Sequence, residues 1–478
     1  MTAGLSGAIR GAILLVALAL PAAAQDGAVL TKQYDDGSIY EGTFRDGLQH
    51  GRGTYRLPSG FEYEGEWVAG EIRGQGTARY PDGSVYVGQF AGGRPEGRGR
   101  IAFRDGGSYD GDWVAGRRTG QGTVRYPDGS VYVGAVRDGL PHGRGTLTEA
   151  GGTVYVGDWV EGRREGTGRI AYADGTVYEG AFRAGQRSGP GRLVLRGGLT
   201  YAGDWAGGQI AGSGRLTLPD GSVYEGQLTE GMRNGKGRMT YADGSVYEGF
   251  FVRDRRQGKG TFRGAGGYLY EGDWVGGRME GTGRLVYPGG AVYDGAFRAG
   301  LPHGRGRIVN PDGSGFDGAW TAGRPGGAGT LRYAGGAVYA GTLKGGEPDG
   351  RGRMTAPDGY SYDGDWVAGR REGRGTARYP DGTVYTGAFK GGLRHGAGTL
   401  TAPDGFRYEG EWVEGRMEGL GTATYRGGDV YEGRFADGRR EGPGTLRYAT
   451  GEVASGRWEA GILTAPAQGT AATDAAAP

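Results

Sequence analysis

"YDGDWVAGRREGRGTARYPDGTVY" runs from Tyr362 to Tyr385 and spans one full period of the chain, because its tyrosine returns after 23 residues. We number every period from this tyrosine, which is position 0. Glycine stands at +2, +11, +13 and +20 of every full period, and at +7 in all but one, where Asp254 intervenes. In one early period these structural columns are filled by Tyr63, Gly65, Gly74, Gly76 and Gly83, followed by the next tyrosine, Tyr86. A fixed period of this length indicates stacked supersecondary units.

Tryptophan adds a second period. All nine tryptophans stand at +4, and they alternate with Phe, Leu or Val, so the larger repeat has 46 residues. The alternation slips once, between Trp205 and Trp274. Two interpretations stay open for this column, packing in the core or lining of an exposed groove. The candidates for a groove that binds a partner are Trp67, Trp113, Trp159, Trp205, Trp274, Trp320, Trp366 and Trp412.

The period contains two strand patterns and no helical spacing. Positions 0, +2 and +4 alternate on one face of a first strand, and +11 to +17 do so on a second strand. We predict an all-β fold, an elongated single-layer antiparallel β-sheet solenoid of about 19 stacked 23-residue hairpins. The Asp-Gly of "PDGSV" predicts the tight hairpin connection, and the Arg-rich "VAGRRTG" at Val114 to Gly120 predicts a longer one.

This pattern resembles the MORN repeat family, with Tyr, Gly, an aromatic residue, Gly, Gly-x-Gly and Asp-Gly in one register from about Tyr34 to Trp458. The sequence departs from the family pattern where other residues replace Trp, at Asp254 and at Ala454, which resembles a terminal cap. The resemblance implies an elongated antiparallel sheet with an aromatic-lined groove. It also implies a role in membrane association, protein scaffolding or self-association.

The two ends of the chain differ from the repeats. Residues 1–24 have one cation, Arg10, a short apolar run and small residues before Gln25, which predicts a cleaved signal peptide and export to the periplasm or the cell surface. We therefore divide the chain into this peptide, a short leading segment at 25–33, the repeat array at 34–463 and a disordered tail at 464–478. The chain has no cysteine, which excludes disulfides and thiol chemistry.

Residues suited to catalysis are scattered rather than gathered. The four histidines all stand at +10, and the spacing between them predicts turn chemistry rather than a shared metal. Carboxylate pairs such as Glu64 with Glu66 and Asp110 with Asp112 recur in too many periods to form one active site, and we interpret them as structural rows on the face opposite the rings. We expect no catalytic residue, no cofactor and no metal, and hence no enzyme. A net charge of +2 gives no indication of nucleic acid as a partner.

Two functions of different kinds stay open. The first is a scaffold of the cell envelope that binds a protein or peptide, or a second copy of itself, through an aromatic-lined groove. The second is attachment to an anionic lipid surface through Arg-rich connections such as "GRREGRG" at Gly369 to Gly375. Glycan binding on aromatic platforms is a third and less favoured interpretation.

Overall fold

A computed structural model describes residues 27–467, and these residues form strands and turns without a helix. The chain divides into two compact units, 1–210 and 211–478, and the boundary falls inside one strand, β17. The predicted signal peptide lies outside the described residues, as does most of the predicted tail. No helix among the described residues is long and apolar enough to cross a membrane.

The first unit is an antiparallel meander in which every strand from β1 to β16 pairs with the next along the chain. Its strands are β1 (Val29–Gln33), β2 (Ile39–Arg45), β3 (Leu48–Arg56), β4 (Glu62–Val68), β5 (Glu71–Arg79), β6 (Val85–Ala91), β7 (Arg94–Ala102), β8 (Ser108–Val114), β9 (Arg117–Arg125), β10 (Val131–Arg137), β11 (Leu140–Thr148), β12 (Val154–Val160), β13 (Arg163–Ala171), β14 (Val177–Arg183), β15 (Gln186–Val194) and β16 (Thr200–Ala206).

The second unit repeats the same meander from β17 onward, again with each strand antiparallel to the next. Its strands are β17 (Gln209–Thr217), β18 (Val223–Thr229), β19 (Met232–Thr240), β20 (Val246–Val252), β21 (Arg255–Arg263), β22 (Leu269–Val275), β23 (Arg278–Val286), β24 (Val292–Arg298), β25 (Leu301–Val309), β26 (Gly315–Thr321), β27 (Arg324–Arg332), β28 (Val338–Lys344), β29 (Glu347–Thr355), β30 (Ser361–Val367), β31 (Arg370–Arg378), β32 (Val384–Lys390), β33 (Leu393–Thr401), β34 (Arg407–Val413), β35 (Arg416–Thr424), β36 (Val430–Ala436), β37 (Arg439–Arg447), β38 (Val453–Glu459) and β39 (Ile462–Pro466).

The prediction of an all-β fold made of repeated antiparallel hairpins is confirmed. Strands extend a few residues beyond the array that we delimited at 34–463, because β1 covers Val29–Gln33 of the leading segment and β39 continues to Pro466. Within a repeat the strand that begins at −1 has seven residues and its return strand has nine. The difference is taken up by a bulge, where the register shifts between Gly65 and Trp67.

The tight turn is not where the sequence pattern put it. The segment from Val114 to Gly120 contains a two-residue turn, Ala115-Gly116, with φ of +50° and +80°, and its arginines belong to β9. These angles are those of a type I′ hairpin turn. The "PDGS" segment instead forms the longer connection, in which Tyr80 N–H donates to the Ser84 carbonyl at 2.8 Å and Gly83 has a φ of +84°. Alanine at +6 hid this turn, because alanine is rarely found at positive φ.

The core is built on the tyrosine column. Tyr63 is fully buried, and its ring lies over the facing glycines Gly65 and Gly76, where a Cβ atom would collide with the ring. Its hydroxyl donates to the Glu66 carbonyl at 3.0 Å. Gly74 is required for a separate reason, because it holds the bulge at a φ of +93° and the Glu66 carboxylate fills the space beside it. The glycine columns therefore provide the floor for one buried ring in each repeat.

Burial gives the tyrosines an alkaline titration that tests this core. Desolvation raises the pKa of Tyr63 and of Tyr385 to about 12, against about 10 for an exposed tyrosine. The unfolded chain therefore loses these protons at lower pH than the folded chain, so stability is complete below about pH 10 and is lost as the pH rises toward 12. We expect part of the phenolate absorbance to appear only together with the loss of the β-sheet circular dichroism signal, since exposed tyrosines outside the column, such as Tyr333 and Tyr448, do not depend on unfolding. Ionisation of all the tyrosines near pH 10 with the β signal intact would contradict the buried column.

The +6 turn gives a second test, in which one substitution has opposite effects at two sites. Ala368 has a φ of +46°, whereas Ala340 is exposed in the extended strand β28. Ala368→Gly should raise the free energy of unfolding by up to about 1 kcal/mol, because glycine relieves the left-handed strain. Ala340→Gly should lower it by roughly 0.5–1 kcal/mol. Chemical denaturation of both variants measures the difference, and two losses of equal size would argue against a strained turn.

Candidate binding surfaces

The rings form a ladder along one face of the hairpins, which we call the ring face. Where +4 holds an aromatic residue, the tyrosine contacts the +4 ring of its own repeat and that of the next, edge to face. Tyr63, for example, lies with its ring centroid 5.7 Å from Trp67 and 5.0 Å from Phe90. Pairs of this geometry contribute about 0.5–1.5 kcal/mol each beyond their burial. The ladder therefore joins neighbouring repeats and stabilises hairpins that would be only marginally stable alone.

The structure corrects the expectation that tryptophan lines an exposed groove. The eight candidates are 3–6% exposed, so their rings belong to the core. Seven of them donate the indole N–H to the +13 glycine carbonyl of the preceding repeat, as Trp366 does to Gly352 at 2.9 Å and Trp67 to Gly53 at 3.2 Å. Trp205 is the exception, because its buried N–H has no partner among the described residues. Tryptophan thus adds a hydrogen bond between repeats that phenylalanine cannot make.

Arginine at +9 covers the ladder from the same side. The guanidinium of Arg394 lies 4.2 Å from the Trp412 ring centroid and donates to the Gly415 carbonyl at 2.8 Å. Arg440 stacks on Trp458 in the same way. A cation over an aromatic face is stabilising, by about 2 kcal/mol where water is excluded. In Arg-Arg pairs such as Arg370-Arg371, the second arginine is therefore engaged by the rings, and only the first points to solvent.

In many repeats the side chain at +10 ties the repeat to the following turn. Glu372 accepts the Gly391 amide at 2.8 Å, and Glu96 accepts the Ala115 amide at 2.8 Å. His303 occupies this place with Nδ1 at 3.5 Å from the Ala322 nitrogen, as His50 does before Ala69. These two histidines thus have a structural role next to a turn. Within residues 27–467 no cluster of His, Asp or Glu is arranged to hold a metal ion.

The carboxylate rows lie on the face opposite the rings, which we call the outward face. At +3 the acid accepts backbone amides of the bulge, as Asp273 Oδ2 does from the Thr282 N–H at 2.9 Å. It also pairs with the +12 cation of the preceding repeat, and Lys259 Nζ lies 2.7 Å from Asp273 Oδ1. Hydrogen bonding to Lys259 and to Thr282 lowers the Asp273 pKa. These acids therefore form ion pairs within the sheet, and their cationic partners stand at +12 and +14 of the return strands.

Exposed apolar side chains concentrate where the tight turns lie, and we call this border the turn edge. Six of the nine tryptophan repeats and the repeat at Tyr247 place valine at +5, and five other repeats place leucine or methionine at +8. The exposed members are Leu48, Val68, Val114, Leu140, Val160, Met232, Val252, Val275, Leu301, Val367, Leu393 and Val413. They are 36–54% exposed, against 0–1% for the buried tyrosine column. Valine and leucine at these positions are visible in the sequence, but their exposure in a row beside the tight turns is not.

Arginines are interleaved with this apolar row. Arg163, Arg255 and Arg370 at +8 directly follow the turns of repeats that have valine at +5, and none of the three forms an ion pair within the described part of the chain. Others are paired, as Arg117 is with Asp138 at 3.2 Å. The turn edge therefore presents apolar side chains beside free cations.

Comparison with known proteins agrees with this repeat geometry. The family model described as "MORN repeat" matches 18 successive segments between residues 40 and 453. The chain belongs to the MORN repeat family. MORN repeats form a family of non-enzymatic repeat scaffolds, and the matched segments coincide with the hairpins described above. A comparison with curated proteins finds no match.

Solved structures resemble this MORN repeat chain only in part. One is the TCP domain of SAS-4 from Drosophila melanogaster in complex with a proline-rich motif of Ana2, with 17% identity, a TM-score of 0.21, and coverage of 34% of this chain and 92% of that chain. Another is the TCP10 domain of CPAP from Danio rerio, with 15% identity, a TM-score of 0.22, and coverage of 46% and 93%. A streptogramin B lyase has 12% identity and a TM-score of 0.11, with coverage of 63% and 92%.

The tryptophan column can be tested for its structural role. Trp366→Phe removes a buried hydrogen bond and part of a packed ring, so the free energy of unfolding should fall by roughly 1–3 kcal/mol. Val367→Ser at the adjacent exposed position should change it by less than about 0.5 kcal/mol. Acrylamide should quench the tryptophan fluorescence of the folded parent weakly. Strong quenching, or a Trp366→Phe variant as stable as the parent, would return tryptophan to the surface.

Proposed function

We propose that this chain is a non-enzymatic scaffold of the cell envelope that binds a partner protein through the turn edge. The observation that carries this proposal is the repeated row of exposed valine and leucine beside the tight turns, such as Val160 and Val367. Apolar side chains in contiguous exposed positions are typical of interaction surfaces. The burial of the tryptophans moves the proposed contact surface from the ring face to this edge. The same burial leaves the tryptophans unavailable as platforms for a glycan.

The repetition of the row suits a scaffold. The same pair of features, an apolar side chain and a cation, recurs along each unit, so one partner with several binding segments could engage several repeats. Linked contacts of this kind raise the overall affinity without a strong individual site. The predicted signal peptide at 1–24 supports export, and a periplasmic or cell-surface location is part of the proposal.

Photo-cross-linking in intact cells tests this function. A photoreactive amino acid at Val160 and, separately, at Val367 should give the same discrete adduct, because both positions belong to the turn edge. The matched control is Glu179, which is exposed at +1 in a repeat between them. Adducts of equal yield from all three positions, or from the control alone, would contradict the turn edge as the contact surface.

A second candidate is attachment to an anionic lipid surface, favoured by the unpaired arginines Arg163, Arg255 and Arg370 next to exposed valines. Cations near an anionic membrane contribute about 1 kcal/mol each and are screened by salt. Sedimentation with vesicles should then rise with the anionic lipid content and fall with ionic strength. A triple substitution of these arginines by Gln should abolish it. Binding indifferent to charge and salt would remove this candidate.

A further inference from the structure

One repeat of the second unit departs from the others on its outward face. Position +3 holds small, polar or charged residues throughout the described repeats, except for Phe250, whose side chain is 43% exposed. Phe250 lies in β20, directly opposite Lys236 of β19. The repeat before it, at Tyr224, has leucine instead of a ring at +4 and falls where the tryptophan alternation slips. Phe250 thus places a large exposed ring at a position that holds no other aromatic residue in the described repeats.

The ring borders a recess. A shallow concavity of about 580 Å³ is lined by Thr229, Asn234, Phe250 and Val252, among other residues. Val252 is 49% exposed and Met232, at the neighbouring turn, is 36% exposed, so the apolar turn edge widens here onto the outward face. The concavity has room for a large side chain, with an aromatic ring as one wall.

Asn234 supplies a free amide to this recess. At +10 it replaces the acids, glutamine and histidine that in other repeats approach the amide of the next turn, and its side chain makes no hydrogen bond within the described residues. The next turn is held differently. Arg233 Nε donates to Asp254 Oδ1 at 2.9 Å, and its Nη2 donates to the Asp254 carbonyl at 3.1 Å. The Asn234 carboxamide is thus left with both donor and acceptor capacity, which suits a peptide backbone.

The charges around the recess are unbalanced. Lys236 Nζ lies 5.6 Å from the Phe250 ring centroid and has no ion pair within residues 27–467. Arg253 and Arg255, at the adjacent turn, are exposed and also without ion pairs there. Lys259 on the other side is already paired with Asp273. Glu230 is the nearby acid left unpaired, so the free charges sum to a positive surface that suits carboxylates.

We propose that the recess at Phe250 binds a short peptide segment of a partner protein in which a large apolar side chain is flanked by acidic residues. The apolar side chain of the peptide packs against Phe250 and Val252. The peptide backbone forms hydrogen bonds with the Asn234 side chain, and the peptide carboxylates pair with Lys236 and Arg253. The proposal rests on the proposed function in one respect, since it makes this recess a specific anchor within the wider turn edge. A recess lined by a carboxamide favours a peptide over a bilayer, which would need protruding apolar groups.

Fluorescence polarisation with the full mature chain tests this assignment. The probe is a labelled dodecapeptide pool in which Leu or Phe is flanked by Asp and Glu. One control pool replaces the acids by Lys, and another replaces the apolar residues by Ser. We expect saturable binding of the first pool alone, weakened at least tenfold by Phe250→Ser and about threefold or more by Lys236→Gln.

The matched control variant is Leu420→Ser. Leu420 is 64% exposed on the same face and lies opposite Arg434, but the adjacent strand β34 carries the acids Glu409 and Glu411, which disfavour an acidic peptide. Its substitution should leave binding unchanged, and circular dichroism checks that each variant keeps the β signal. Equal binding of all pools, absence of saturable binding, or equal loss in Leu420→Ser would overturn the proposal. So would vesicles of anionic lipid that bind in its place and lose affinity with Phe250→Ser. Any of these results leaves the cross-linking test at Val160 and Val367 to decide the proposed function separately.

Discussion

A tyrosine ring pressed onto two facing glycines is the contact on which the other features depend. Tyr63 fills the space that side chains at Gly65 and Gly76 would otherwise take, and its hydroxyl closes the bulge by bonding the Glu66 carbonyl. Because the ring lies flat, the +4 ring of the next repeat can approach it edge-on. Stacking then buries an apolar face that a two-stranded hairpin could not bury alone. The ring contact and the backbone pairing of successive hairpins therefore support each other.

The repeat, the strands and the inward direction of position 0 could all be predicted from the sequence. The 23-residue period is visible in the recurrence of Tyr362 and its equivalents, and the two-residue alternation of a strand is visible in Tyr362 and Gly364. The sequence was not sufficient for the turns. Asp-Gly in "PDGS" is the commoner hairpin signal, whereas the tight turn uses Ala115-Gly116, with alanine at positive φ. Hydrogen bonds to the preceding repeat, such as that from the Gly116 N–H to the Pro95 carbonyl at 2.9 Å, hold this strained turn in place. Local preference was overridden by contacts with a neighbour.

The tryptophan column failed as a functional signal for a related reason. Tryptophan that alternates with phenylalanine suggests a role beyond packing. That role exists, but it is structural, because the indole N–H donates a hydrogen bond to a glycine carbonyl of the preceding repeat. The basic pairs were likewise divided by the fold, since Arg371 lies against the rings whereas Arg370 remains exposed. Alternation along a strand separates two adjacent arginines in this way, but the sequence pattern had placed such pairs in a connection, whereas Arg370 and Arg371 open strand β31. The exposed row that remains, at +5 and +8, was visible in the sequence as ordinary valine and leucine.

The side-chain hydrogen bonds of the described residues span at most 21 positions, as the bond from Arg394 to Gly415 does. Each repeat therefore contacts only its immediate neighbours, and the unit of this pattern is one repeat of 23 residues. Loss or gain of a whole repeat keeps the strand pairing and the contact of each tyrosine with its glycines, and changes only which +4 residues are neighbours, as at the slip in the tryptophan alternation near Leu228. Loss of a single residue within a strand would instead shift the register by one and move the tyrosine of that strand to the solvent side. The length of the array is thus free to drift in evolution, while its phase is fixed.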